Sequence, residues 1–375
     1  MPPLPRPQLP LPPQLRRAVV VGAGSFGTAV AVLLARGGMR TTLQTRTREQ
    51  TDALVDAREN RAYLPGVELP RELRIEPAAN GLARTELVFL AVPSLGLGDV
   101  IAGLEQAGLT RRAAVVSLAK GLVPPNGTPP TALLRARFGD ERVACIGGPA
   151  HAQEMVAHGA GLVVASSDEA LAGQLAAMFI RAGVVCEQSN DPVGVELAGA
   201  AKNAAALAAG ATEAQGLNAA GAAAGHIFAE VWRYAEWLGA RPESMIGLAG
   251  TGDLVATALA PQSRNRRAGE LLAQGVPASE IPARIGQAVE SLESVPLLAR
   301  ALAGAGIEAP VNDALRRLIA GELPLGEWVA LVRATVPPPA RWRERRRERA
   351  GGGWRRAWDR LRTSLGAAPR DRDAS

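Results

Sequence analysis

The chain is poor in several things at once. Aromatic residues make up 3% of its 375 positions, and there are two cysteines and three histidines. So few aromatics argue against a sandwich built on aromatic cross-strand pairs; the apolar content, 47%, is mostly Ala, Val and Leu, which suits close helix packing and parallel strands. Cys145 and Cys186 each sit in a short apolar run and read as buried thiols, not as a disulfide or a nucleophile. With no Cys/His cluster there is no basis for a structural zinc site, and nothing asks for an oxidising compartment, so a cytoplasmic protein is expected. No apolar stretch reaches the roughly 18 uncharged residues of a membrane span. Residues 1–15 are Pro-rich without an apolar core, which reads as a disordered lead-in, not a secretory signal. Lysine is the scarcest charged residue: the chain has two, Lys120 and Lys202.

Charge needs the same scrutiny. The formal net charge is +6, but residues 336–375 hold twelve of the basic residues and only five of the acidic ones. The remaining 335 residues carry a net charge of −1, so overall basicity is no argument for nucleic acid. The tail itself repeats Trp354, Trp358, Leu361 and Leu365 at helical spacing among arginines. That pattern suits either peripheral contact with an anionic membrane or a solvated Arg-rich extension.

Length allows two domains. From Arg17 to about Asn190, short β-branched runs alternate with Ala/Leu-rich helical stretches, and most of the runs are continuously apolar, as in parallel strands covered on both faces. This predicts a Rossmann-type, doubly wound α/β domain over 16–191. Beyond Asp191-Pro192 strand signals fade, predicting an all-α domain over 192–335 and an appended tail over 336–375.

A strand candidate, Arg17 to Val21, runs straight into Gly22-Ala-Gly24-Ser-Phe-Gly27, and a helix follows. In that context the glycines are read as a dinucleotide-binding turn: Gly22 turns the chain, Gly24 lets backbone approach a pyrophosphate, and Gly27 lets helix and strand pack closely. An enzyme selective for NAD usually places an acid about 20 residues on. Here the segment is Leu43-Gln-Thr-Arg46-Thr-Arg48, which points to NADP (NADPH) as the preferred cofactor, with NAD possible.

Hydride transfer to a carbonyl also needs a proton donor and groups to hold the substrate. Lys120 follows a strand, where ligands of open α/β sheets bind. Lys202 lies in an otherwise apolar, Ala-rich helix, where a lysine is costly and desolvation lowers its proton affinity. Ser263-Arg-Asn-Arg-Arg267-Ala-Gly269 could clamp a phosphate through guanidinium and amide donors. The class implied is a nicotinamide-dependent dehydrogenase of a small phosphorylated substrate.

Over residues 16–335 the chain resembles the bacterial NAD(P)-dependent sn-glycerol-3-phosphate dehydrogenases. The resemblance is carried by Gly22 to Thr28, Asn60-Arg-Ala-Tyr-Leu-Pro65, Val92-Pro-Ser94, Ala119-Lys-Gly121 and Gly148-Pro149. It continues through Gly194 to Asn203, Gly247 to Leu254, Ser263 to Gly269, and Gly286-Gln-Ala-Val-Glu290. It implies Lys202 as the acid/base on the C2 oxygen and Lys120 as a second catalytic residue bridging cofactor and substrate. It further implies Ser25, Phe26, Arg46, Ala152, Arg264 and Glu290 at the dinucleotide, and Gly148, Ala150, Asp253, Ser263, Arg264 and Asn265 at the substrate. A homodimer and a role in phospholipid synthesis are implied as well. The chain departs from the family pattern at Ala150, where a Ser or Thr is usual, at Glu213 in a shortened loop, and at His226, where Arg is usual. Ala150 and the shortened loop at Glu213 keep open a lysine-dependent NADP reductase of a different small hydroxy acid or phosphorylated ketone, and a third reading is a non-catalytic NADP-binding regulator with a basic interaction tail.

Overall fold

The computed structural model describes residues 15–336, apart from 79–80 and 261. The expected lead-in, all but Leu15, and the tail beyond Val336 lie outside the described residues. The chain runs β1 (Arg17–Val21), α1 (Ser25–Arg36), β2 (Arg40–Thr45), α2 (Arg48–Ala57), β3 (Glu59–Asn60), β4 (Leu64–Glu68), β5 (Arg74–Pro77), β6 (Leu87–Leu90) and α3 (Leu97–Gln106). Next come β7 (Ala114–Ser117), α4 (Pro130–Phe138), β8 (Val143–Gly147), α5 (Ala152–His158), β9 (Gly161–Ser166), α6 (Glu169–Arg181) and β10 (Val185–Ser189). Helices follow: α7 (Pro192–Thr212), α8 (Leu217–Trp237), α9 (Pro242–Ile246), α10 (Asp253–Leu259), α11 (Arg264–Ala273), α12 (Ile281–Ile285), α13 (Glu290–Gly304), α14 (Pro310–Ile319) and α15 (Leu325–Ala334). The N-terminal region is thus Rossmann-like, and the C-terminal region is helical.

Eight strands form one sheet in the order β10-β9-β8-β7-β6-β1-β2-β5. β1 lies between β2 and β6, parallel to both, so the winding reverses beside it and leaves a crevice at its carboxyl end. The strands of this half are buried on both faces, which is why they read as continuous apolar runs. One expectation needs correction. β8 and β9 pair antiparallel and β10 runs parallel to β9, so the last two strands oppose the rest. Burial is the same for either direction in a covered strand, and the apolar pattern therefore carried no sign of the reversal. β10 is one edge of the sheet; Val185 is exposed and Cys186 only partly buried, whereas Cys145 is fully buried, and both thiols are free.

Helix α7 links the two regions. Asp191 caps it, its Oδ1 accepting from Gly194 N at 2.9 Å, while Oδ2 accepts from Arg241 N and Ser244 Oγ, each at 2.7 Å. All but one of its residues are buried, as an Ala-rich helix without a polar face requires. Its core cluster takes in Cys145, Val163 and Ala165 from the sheet as well as α8, α11 and α13 to α15, so one face of β8 and β9 packs on the helical region. α7 and α11 cross backbone to backbone. A Cβ on Gly210 would fall 2.1 Å from Arg266 O, and one on Gly269 would fall 2.0 Å from Leu207 O. That crossing sets the Ser263–Gly269 segment beside the Lys202 stretch of α7.

Candidate active site

The glycine turn has the geometry its sequence implies. Gly22 has φ +110°, and a Cβ there would lie 2.5 Å from Ala91 O. At Gly27 a Cβ would lie 2.1 Å from Gly22 O and 2.6 Å from the Ala91 Cβ, so helix and strand touch only because both positions lack one. Gly24, the N-cap of α1, has open space where its Cβ would be. Free N–H groups at a helix start beside open space form an anion site, which is the fit a dinucleotide pyrophosphate needs. Ser25 and Phe26 begin α1. Arg46 follows β2 with its side chain exposed, and Arg48 opens α2. Among the residues of β2 none is acidic.

The two lysines converge on one carboxylate. Asp253 Oδ2 lies 3.1 Å from Lys120 Nζ and 3.5 Å from Lys202 Nζ. Lys120 also donates to Gly148 O at 3.2 Å, and its ammonium lies 5.4 Å from the centre of the Phe26 ring, which ties it to the glycine turn. Gly148 can present that carbonyl because its φ is +97° and its backbone sits against Gly161 O. Lys202 is buried; burial, then the neighbouring Lys120, lower its proton affinity, while Asp253 and Glu290 oppose them. For Asp253 burial alone would raise the carboxyl pKa, but the two ammonium groups hold it below its usual value. The proton affinity of His151, on the loop after Gly148, is also lowered, by burial and then by Lys202.

A second chain of contacts carries this cluster into the helical region. Asn203, 1% exposed, donates through Nδ2 to Lys120 O at 3.1 Å and to Glu290 Oε2 at 3.0 Å, and accepts at Oδ1 from Asn265 Nδ2 at 2.9 Å. Asn265 Oδ1 in turn accepts from Ser291 N at 3.2 Å. Thr257, one turn beyond Asp253, donates to its Oδ1 at 3.4 Å. The sequence reading assigned no role to Asn203 or Thr257. For Asn203 the signal was available, since an amide in a buried, Ala-rich helix must find partners.

Of the expected site residues, Lys120, Lys202, Asp253, Asn265 and Glu290 share this network. Arg264 starts α11 and donates to Ala288 O at 3.0 Å. Ser263 spends its hydroxyl on the helix, accepting from Arg266 N at 3.4 Å. Ala150 and Ala152 flank His151 and pack at the edge of the sheet core, with Ala152 opening α5. Arg266, expected within the phosphate clamp, is held elsewhere. Glu213 accepts from its Nε and Nη2 at 3.0 and 2.9 Å, and Glu270 lies 3.1 Å from Nε. The departure at Glu213 thus serves Arg266 and stands apart from the lysine cluster. Among the described residues no group of His, Cys, Asp and Glu could hold a metal ion.

A glycine turn at the switch point of a doubly wound sheet, with a buried lysine–aspartate–lysine cluster across from it, defines a two-part dinucleotide-dependent oxidoreductase. Within that class the comparisons are specific. Residues 17–172 match the NAD-dependent glycerol-3-phosphate dehydrogenase N-terminus and residues 191–330 match the C-terminus of the same family. A glycerol-3-phosphate dehydrogenase [NAD(P)+] of Deinococcus radiodurans is 39% identical over 81% of this chain and 90% of its own length. One from Thermus thermophilus is 39% identical over 80% of this chain and 93% of its own. The crystal structure of glycerol-3-phosphate dehydrogenase from Coxiella burnetii superposes with a TM-score of 0.81 at 28% identity, covering 86% of this chain and all of that one. The chain belongs to the NAD-dependent glycerol-3-phosphate dehydrogenase family.

Proposed function

We propose that the protein interconverts dihydroxyacetone phosphate and sn-glycerol 3-phosphate with a nicotinamide dinucleotide, supplying glycerol phosphate for phospholipid synthesis. The observation that carries this reading is the Asp253 carboxylate shared by both of the chain's lysines, with Lys120 bridging to the glycine turn. Residues 16–191 would form the dinucleotide domain and 192–335 the substrate domain. Gly22, Gly24, Ser25, Phe26, Gly27 and Arg46 would hold the dinucleotide from one side, and Ala152, Arg264 and Glu290 from the other. When bound, the dinucleotide supplies or accepts the hydride at C2.

The chain's own residues handle the proton and the phosphate. In reduction, the Lys202 ammonium gives its proton from Nζ to the C2 oxygen as charge builds there; in oxidation, the neutral amine takes the proton from the C2 hydroxyl. Burial lowers its proton affinity, which eases release of that proton to the substrate oxygen. Asp253 keeps the ammonium form populated and orients it, and Lys120 adds positive charge near the developing alkoxide. Gly148, Ala150, Ser263, Arg264 and Asn265 would line the substrate, with Arg264 nearest in chemistry to a phosphate ligand. Arg46, with no acid in β2, favours the 2′-phosphate of NADP over NAD.

The reading extends to a cytoplasmic homodimer, as the family resemblance implies. No helix among the described residues is long and apolar enough to cross a membrane. Peripheral membrane contact through 336–375 rests on the Arg/Trp pattern of that segment alone. The test of the main reading is NADPH oxidation with dihydroxyacetone phosphate, comparing the wild type with Lys202→Ala. Turnover should fall by about 10²–10⁴-fold in the variant with NADPH binding retained. A wild type that binds NADPH but leaves dihydroxyacetone phosphate unreduced would overturn it.

A further inference from the structure

The β3–β4 hairpin is an insertion between α2 and β5 outside the main sheet, and its construction is locally unfavourable. It begins at Arg58, which caps α2 with φ +48°, a left-handed conformation that a non-glycine residue adopts at a cost. The next two residues, Glu59 and Asn60, break the pairing register with β4. Such irregularities re-aim a side chain, and here the side chain is that of Asn60. The Arg58 guanidinium braces the far end of the insertion, donating to Leu69 O at 3.4 Å, to Leu73 O at 3.2 Å and to Pro70 O.

What these features deliver is a buried amide beneath the glycine turn. Asn60 is 2% exposed, and its Nδ2 donates to Ala23 O at 3.0 Å and to Thr28 Oγ1 at 2.8 Å. Ala23 is the middle residue between Gly22 and Gly24, and Thr28 lies in the first turn of α1. In a trans peptide the carbonyl and the following N–H point in opposite directions. Fixing Ala23 O toward Asn60 therefore aims Gly24 N–H away from it, on a glycine whose Cβ position is open. At its other end the hairpin is tied to α5, where Gln153 Nε2 donates to Pro65 O at 3.1 Å.

We infer that Asn60 is a positioning residue for the dinucleotide: the hairpin carries its amide under the glycine turn and holds the Ala23–Gly24 peptide in the orientation that receives the pyrophosphate. This rests on the dinucleotide site proposed above and adds the group that keeps it in shape. Asn60 touches neither substrate nor cofactor, so its removal should weaken cofactor binding and spare the chemical step.

The experiment compares wild type, Asn60→Asp and Thr28→Val by NADPH binding (fluorescence titration) and by steady-state reduction of dihydroxyacetone phosphate. Asn60→Asp keeps the shape and loses both donations; Thr28→Val keeps the branch and loses one acceptor. The expected result is an NADPH Kd and KM raised about tenfold or more in Asn60→Asp and less in Thr28→Val. At saturating NADPH, kcat and the KM for dihydroxyacetone phosphate should stay within about twofold of wild type. Unchanged NADPH affinity in both variants would overturn the inference, as would loss of kcat together with both KM values, which marks general misfolding. Should Asn60→Asp fail to fold, Thr28→Val decides alone by the same split. Wild type that fails to bind NADPH would instead sink the dinucleotide reading.

Discussion

Replacing Asp253 by Asn keeps the volume of the side chain and removes the one negative charge that two ammonium groups share. Both nitrogens lie within 3.5 Å of its Oδ2. At an effective protein dielectric near ~20, a unit charge pair at about 4 Å is worth ~4 kcal/mol. Without it, only the weaker attraction of Glu290 opposes the repulsion between Lys120 and Lys202, and the cheaper outcome is that one of them sheds its proton. Lys202 is the deeper, its side chain 9% exposed against 16% for Lys120, and burial with Lys120 already lowers its proton affinity. The sign follows: the ammonium needed for reduction is lost at lower pH in the variant. The alkaline limb of kcat for dihydroxyacetone phosphate reduction should therefore move to lower pH. On the alkaline side of neutrality kcat should fall about 10²–10³-fold, which is ~3–4 kcal/mol in barrier. The assay is NADPH oxidation followed by absorbance across the neutral to alkaline range, with NADPH affinity measured alongside. An alkaline limb that stays in place, with kcat within about threefold of wild type, would refute the assignment of Asp253 as the group that keeps Lys202 protonated.

Two further outcomes are expected. Arg46→Ala should cut the preference for NADPH over NADH by about tenfold or more, the size of a lost charge-assisted contact, leaving the KM for NADH unchanged; equal losses with both cofactors would remove Arg46 from the 2′-phosphate site. Glu196 is buried in α7, where burial pushes its carboxyl up to about 8 against donation from Thr131 N and Oγ1 and the charge of Arg135. A carboxyl raised in the fold keeps a proton that the unfolded chain releases, so its contribution is full below the ordinary value of 4.5 and declines as pH rises toward about 8. Glu196→Gln should flatten the fall of melting temperature over that window relative to wild type. Parallel curves for the two proteins would show that Glu196 does not titrate there.

Legibility in the sequence followed the range of the interactions involved. The glycine turn is local, set by three positions within six residues, and its φ values and close approaches were implied by residue type alone. α7 was equally legible, because a long Ala-rich run has no polar face and Lys202 stands out against it. The short polar strand β5 and the two-strand hairpin passed unnoticed, since four residues at a sheet edge carry no apolar period. Helices α9, α10 and α12, of five to seven residues, are likewise too short to stand apart from the loops around them.

The sequence by itself therefore determined the fold class, the glycine turn and the presence of one costly lysine in a buried helix. Only the tertiary structure decided what those residues face. It joined Lys120 to Asp253 across 133 positions and Asn203 to Glu290 across 87, reversed β9 and β10 against the rest of the sheet, and paired Arg266 with Glu213. It also placed Asn60 beneath a turn 37 residues earlier in the chain. The physical reason is the same in each case. Backbone conformation depends on near neighbours and is written in residue type, whereas charge pairing and burial of polar groups depend on which distant elements packing brings together.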